Sequence, residues 1–167
     1  MKGDPTSLPQ LQKDVLNQFS LIYESFGYSP IVGQIFSLLL FAPEPLSLQD
    51  MCDNLKVSKA AVSVQVRTLL RSGICRKIPA SRDRRDYYCI SEEMCSAVIQ
   101  NELEKVKKIH SSFYATLNSL KTMGQVESIE KDSFTAFKHR VEDLSCCYSL
   151  LLQKLEGLQE EWGGRGL

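Results

Sequence analysis

The segment from Leu46 to Ser91 constrains the fold more than any other part of the chain. It opens with a short amphipathic stretch, Leu46-Ser47-Leu48-Gln49-Asp50-Met51-Cys52-Asp53-Asn54-Leu55. Lys56-Val57-Ser58 follows as a turn, and Lys59 to Ser72 carries a second helical pattern ended by Gly73. Two β-like runs come next, Ile74 to Pro79 and Asp86 to Ile90, joined by Ala80-Ser81-Arg82-Asp83-Arg84-Arg85. Helix, turn, helix and basic hairpin in that order predict a winged helix-turn-helix unit.

Local signals support each part. Ser47, with Asp50 three positions on, predicts an N-cap close to a capping box, and Ser58 caps the next helix. In that helix Val62, Val66 and Leu69 share one face and should pack inward. Lys59, Ala60, Ala61, Ser63, Val64 and Arg67 lie toward the other faces, where small residues permit close approach to a groove. Gly73 supplies a left-handed stop before the wing.

Charge follows the same boundary. The chain is formally neutral, with 20 Lys/Arg against 20 Asp/Glu. From Lys56 to Tyr88, however, nine Lys/Arg stand against Asp83 and Asp86, a local +7 that leaves −7 for the rest. Such segregation is the electrostatic footprint of a DNA-binding face. The wing arginines Arg82, Arg84 and Arg85 are placed to touch phosphate or a narrow minor groove. Salt bridges to Asp83 and Asp86 are their alternative use. Tyr87 and Tyr88 read as strand packing.

The flanks are helical. Leu8, Leu11, Val15, Phe19, Ile22 and Phe26 predict an amphipathic first helix ended by Gly27. Ser29-Pro30 restarts the chain as N-cap and first helical position. The next helix, Ile31 to Phe41, is apolar nearly all round and should be the buried centre; Pro43-Glu44-Pro45 stops it. After Ser91, Ile99, Leu103, Val106, His110, Phe113, Leu117 and Leu120 step by four and three. Gly124 marks a break. Phe134, Phe137, Val141, Leu144, Tyr148, Leu151, Leu155, Leu158 and Trp162 then form a sustained heptad, a coiled-coil seam by which the two helices can pack on each other as an antiparallel hairpin and on a second subunit, the dimerisation region. The tail from Gly163 should fray.

The expected class is mainly α, α+β only through the wing: a winged helix-turn-helix with long N- and C-terminal dimerisation helices. The expected division is residues 1–26 for the N-terminal helix, 27–91 for the DNA-binding domain and 92–167 for the C-terminal helical region. No secretory signal is visible, and the longest apolar run, Ile35 to Ala42, is too short for a bilayer. A soluble cytoplasmic protein is therefore expected, with its six cysteines as free thiols. Cys75 and Cys89, at nearly symmetric distances from the wing tip, form a candidate redox pair against a reading as buried hydrophobes. His110 reads as a satisfied core or interface histidine, and no ligand spacing suggests a metal or cofactor. Phosphate-binding glycine loops, nucleophile elbows and paired catalytic carboxylates are absent, which argues against an enzyme.

The run Gly27-Tyr28-Ser29-Pro30-Ile31-Val32-Gly33-Gln34-Ile35-Phe36, Leu38 to Phe41 and Pro43 to Ser47 resembles the GbsR-like branch of the MarR family of transcription regulators. So do Val57 to Ser63 with Arg67, and the wing run Asp83 to Tyr88. The resemblance covers residues 25–91 and implies a homodimeric regulator, more often a repressor, of pseudo-palindromic operators in double-stranded DNA. It implies that Ser58, Lys59, Ala60, Ser63 and Arg67 face the groove and that Arg84 and Arg85 sit at the wing tip, with Asp83 orienting a neighbouring arginine. Many members carry Arg where this chain has Val64, which can touch a thymine methyl but cannot read guanine bidentately. A small-molecule effector of unspecified identity fits the resemblance. Two other functions fit the pattern: a winged-helix protein-interaction adaptor without specific DNA binding, and a regulator that senses redox state or metal through its cysteines.

Overall fold

The computed structural model describes residues 7–79, 85–123 and 131–164. It divides into two compact units, Met1–Ala97 and Val98–Leu167.

In the first unit the elements run α1 (Leu8–Ser25), α2 (Pro30–Phe41), β1 (Leu46–Ser47), α3 (Leu48–Leu55), α4 (Lys59–Arg71), β2 (Cys75–Pro79) and β3 (Asp86–Ile90). Each boundary has a local cause. Gly27 (φ 80°) and Gly73 (φ 72°) take the left-handed region where the chain leaves α1 and α4. Ser29 accepts from the Ile31 amide ahead of Pro30, and Ser58 accepts from the Ala61 amide. Ser47 and Asp50 complete a full capping box on α3. Lys56 closes α3 in a left-handed conformation (φ 57°).

The core gathers around α2. Val32, Ile35, Phe36 and Leu39 meet Met51 and Cys52 of α3, Val62, Val66 and Leu69 of α4, and Cys75 and Tyr88 of the sheet. Val62, Val66 and Leu69 are 0–1% exposed, so the predicted inward face of α4 is the observed one. Burying each contributes about 1.5–3 kcal/mol, which fixes the rotation of α4 about its axis.

The sheet departs from the two-stranded hairpin expected. It has three antiparallel strands in the order β1-β3-β2, because Leu46 and Ser47, read as the opening of a helix, instead pair with Tyr88 and Tyr87. The register also removes the cysteine pair. Cys75 lies opposite Ile90, and Cys89 lies opposite Arg76. Opposed residues share a sheet face and successive residues alternate, so Cys75 and Cys89 point to opposite faces. Assumed symmetry about Arg82 is one residue out of register, and one residue reverses every side chain. Burial, with a smaller contribution from the neighbouring Cys89, pushes the Cys75 thiol up to about 12, the behaviour of a small core hydrophobe.

In the second unit α6 (Lys131–Gly163) packs against the length of α5 (Met94–Thr122) that lies beyond Ala97. Gln159 donates to Gln100 (2.6 Å), His110 Nε2 lies 2.9 Å from Ser149 Oγ, and the Phe113 and Tyr148 rings are 5.6 Å apart. Partners rise along one helix as they fall along the other, so the pair is antiparallel. Every member of the predicted α5 stripe is buried or half-buried. Ser149 gives its hydroxyl proton to the Ser145 carbonyl (2.8 Å), so it accepts from His110, which is thereby satisfied within the hairpin. The break expected at Gly124 lies outside the described residues.

The crossing of α1 over α2 depends on a missing side chain. A Cβ at Gly33 would sit 2.1 Å from the Phe19 carbonyl oxygen and 2.8 Å from the Ser20 amide nitrogen, backbone atoms that cannot swing aside. Phe19 and Phe36 meet edge to face beside this crossing (5.0 Å), and Ser37 donates to the Val15 carbonyl (3.3 Å). Gly33→Ala should therefore push α1 away and cost on the order of 1–3 kcal/mol. A urea titration of the full-length variant measures this; a midpoint equal to the parent's would show that the crossing relaxes freely.

Candidate nucleic-acid interface

With Val62, Val66 and Leu69 buried, the opposite side of α4 faces solvent. Lys59, Ala60, Val64 and Arg67 are exposed, Ser63 is half-buried beside them, and Arg71 extends the face by one more turn. Ser58 stands at the exposed N-terminal end, its hydroxyl occupied by the cap. Val64 is 53% exposed. A β-branched apolar residue kept in water on a charged face has no packing role in this unit.

Arg67 is held by its own helix. Its Nε donates to the Ser63 carbonyl (2.8 Å) and its Nη2 to Ser63 Oγ (3.5 Å). The arrangement limits the rotamers of a long side chain in advance of any contact. Lys56, Lys59, Arg67 and Arg71 form no ion pair among the described residues.

The wing uses part of its charge internally. Lys77 pairs with Asp86 across the strands (2.9 Å), and Arg76 pairs with Glu92 (2.6 Å). Tyr88 is 6% exposed and packs on the core as expected. Arg85 is exposed at the start of β3, while Arg82, Asp83 and Arg84 lie outside the described residues. Arg71 was legible only as part of the charge count; its position four residues after Arg67 is the signal that places it on this face.

The heptad of α6 divides between two surroundings. Phe134, Tyr148, Leu155 and Trp162 are half-buried and Val141 is 4% exposed, whereas Phe137, Leu144, Leu151 and Leu158 are 43–48% exposed. The packed face is completed by Ser145 and Leu152, which the heptad reading omits. In α1, Val15 and Phe19 of the predicted stripe are half-buried, and Leu8, Leu11, Ile22 and Phe26 are exposed.

The helix pair α3 and α4 packed on α2, followed by a β-wing, defines the winged helix-turn-helix fold. Comparison agrees at that level. A crystal structure described as a transcriptional regulator superposes with a TM-score of 0.74, at 15% identity over 92% of this chain and 99% of that one. The Bacillus subtilis protein YvaV, named as an HTH-type transcriptional regulator, is 23% identical over 128 residues, 72% of each chain. A MarR/EmrR family transcriptional regulator from Acinetobacter sp. ADP1 is 22% identical over 81% of this chain and 89% of that one, with a TM-score of 0.39. No protein-family model matches the chain. Among the described residues no cluster of three or more His, Cys, Asp or Glu could hold a metal ion, and no helix is long and apolar enough to cross a membrane.

The cap of α3 beside this face is sensitive to pH. The Ser47 amide, donating at 2.8 Å, and then the Ser47 hydroxyl hold the Asp50 carboxyl below its ordinary value, and the charge of Arg85 acts in the same direction. A carboxylate held low adds stability that is fully present above its unfolded pKa and is lost as pH falls through the folded one. Asp50→Asn should therefore be less stable than the parent at pH 7. The gap should narrow as pH drops below about 4. Urea midpoints of both proteins between pH 7 and pH 3 test this; a gap independent of pH would mean that the charge on Asp50 contributes nothing.

Proposed function

We propose that this chain is a sequence-specific, DNA-binding transcription regulator of MarR type, most simply a cytoplasmic repressor, acting as a homodimer on pseudo-palindromic duplex DNA. The observation that carries the reading is the outward face of α4. Its exposed residues combine three cations, Lys59, Arg67 and Arg71, with the small Ala60 and the exposed apolar Val64, while the opposite face is buried in the core. Ser58, Lys59, Ala60, Ser63, Val64 and Arg67 would meet the major groove, and Arg82, Arg84 and Arg85 the flanking backbone or minor groove. The likeness to the transcriptional regulator of TM-score 0.74 and the name of YvaV favour the same reading. The GbsR-like branch is supported by the sequence runs from Gly27 to Ser47 and from Asp83 to Tyr88.

A shift assay on the DNA upstream of the chain's own gene, with excess random duplex as competitor, tests this directly. Preferential binding should appear, and Arg67→Ala should lower the discrimination by about 1–3 kcal/mol if its guanidinium reads a base. Absence of any DNA shift would leave the protein-interaction adaptor as the better account.

Dimerisation is supported by Phe137, Leu144, Leu151 and Leu158, exposed at seven-residue spacing on α6. The exposed Leu8, Leu11, Ile22 and Phe26 of α1 add a second apolar face. A double change Leu144→Glu/Leu151→Glu should yield monomers by sedimentation with helical content retained, and should weaken operator binding. A dimer that survives the change would remove this stripe from the interface. An effector is supported by a cleft of about 400 Å³ between α1, α2 and α3, floored by Leu16, Leu38, Phe41 and Leu55.

A further inference from the structure

The side of α6 that carries Val141, Ser145, Tyr148 and Leu155 is packed, whereas Phe137, Leu144, Leu150, Leu151 and Leu158 stay exposed. At 1.5 Å per residue the exposed stripe runs for about 30 Å. We propose that it seats the same stripe of a second copy, with the two α6 helices antiparallel and Asp143 of each copy paired with Lys154 of the other. The proposal rests on the homodimer reading above and adds the direction of the helices and the ion pair that sets it.

Charge decides the direction. Arg140, Asp143, Lys154 and Glu161 are exposed, and none of them forms an ion pair among the described residues. The acid of α6 that is engaged is Glu142, with Lys138 (3.9 Å) and His139 (3.5 Å). At 100° per residue these four charges share an arc of about 140° with the five exposed apolar residues, on the side turned away from Val141 and Ser145. Two parallel copies would set Arg140 against Arg140, Asp143 against Asp143, Lys154 against Lys154 and Glu161 against Glu161, four like-charge contacts. Reversing one copy removes them all. The register that sets Leu144 against Leu151 of the second copy also sets Phe137 against Leu158. It brings Asp143 within two residues, about 3 Å along the axis, of Lys154 of the second copy, and turns the end bearing Arg140 toward the end bearing Glu160 and Glu161. A twofold axis repeats each contact, so the stripe must match its own reverse, which this pattern does. That self-complementarity makes a second copy the occupant.

Sedimentation equilibrium of the full-length chain reads the dimer dissociation constant. Asp143→Lys and Lys154→Asp should each weaken dimerisation on the order of tenfold, since each turns both symmetry-related attractions into repulsions. The double variant Asp143→Lys/Lys154→Asp should return to within about threefold of the parent, because the pair is restored with its signs exchanged. Along one helix the two positions stand about 16 Å apart, so rescue can arise only between copies. A parent that dimerises while the single variants have no effect, or while the double variant stays weak, overturns the antiparallel pairing and leaves the homodimer in place. A monomeric parent overturns the homodimer reading and this pairing with it. Both side chains are exposed, so circular dichroism of all the variants should match the parent, which assigns the effect to contact rather than folding.

Discussion

The orientation of α4 is set by Val62, Val66 and Leu69, three residues at three- and four-residue steps packed without exposure against the core around α2. Every other feature of the candidate interface follows from that burial. Rotating α4 by one residue, about 100°, would put Ser63 and Arg67 into the core and strand their polar groups, at a cost no surface contact could offset. The outward face is thus specified by its opposite. Gly33 serves the same end one layer behind: only without a Cβ can α2 press against the backbone of α1, and α2 is the platform on which α4 rests.

The helices, their caps and the inward face of α4 were legible in the sequence because they rest on short-range signals. Ser29-Pro30, Ser47 with Asp50, Ser58 and the left-handed glycines each act within a few residues. The sheet was less legible for the opposite reason. β1 is two residues long, too short to show any periodicity, and its partner lies about forty positions later in the chain. The register of β2 against β3 depends on the path of the connecting turn, which composition does not encode, and an error of one residue was enough to set Cys75 and Cys89 on the same face wrongly.

The heptad of α6 illustrates a related limit. Its two sets of positions, Phe134-Val141-Tyr148-Leu155-Trp162 and Phe137-Leu144-Leu151-Leu158, are separated by about 60° around the helix. A periodic stripe reports that a surface is apolar, not how many neighbours share it. Here α5 covers the first set together with Ser145 and Leu152, and the second set stays exposed. A small residue such as Ser145 carries no apolar signal, yet it is 8% exposed, because close helix packing favours little volume. The sequence therefore identified the helix and its apolar surface, but not which part of that surface meets α5.

For the proposed DNA contact, the Arg67–Ser63 linkage matters more than the charge of Arg67 alone. A guanidinium has five N–H donors, and the two bonds to Ser63 occupy two of them. Three donors are left on a side chain already confined by its own helix, so less rotamer entropy is lost when it meets a base or phosphate. Val64, next to it, offers no donor and can discriminate only through the thymine methyl group. The same turn of α4 thus combines a polar reader fixed in advance with an apolar contact that tolerates few alternatives. Specificity at this turn would come from placement rather than from the number of hydrogen bonds.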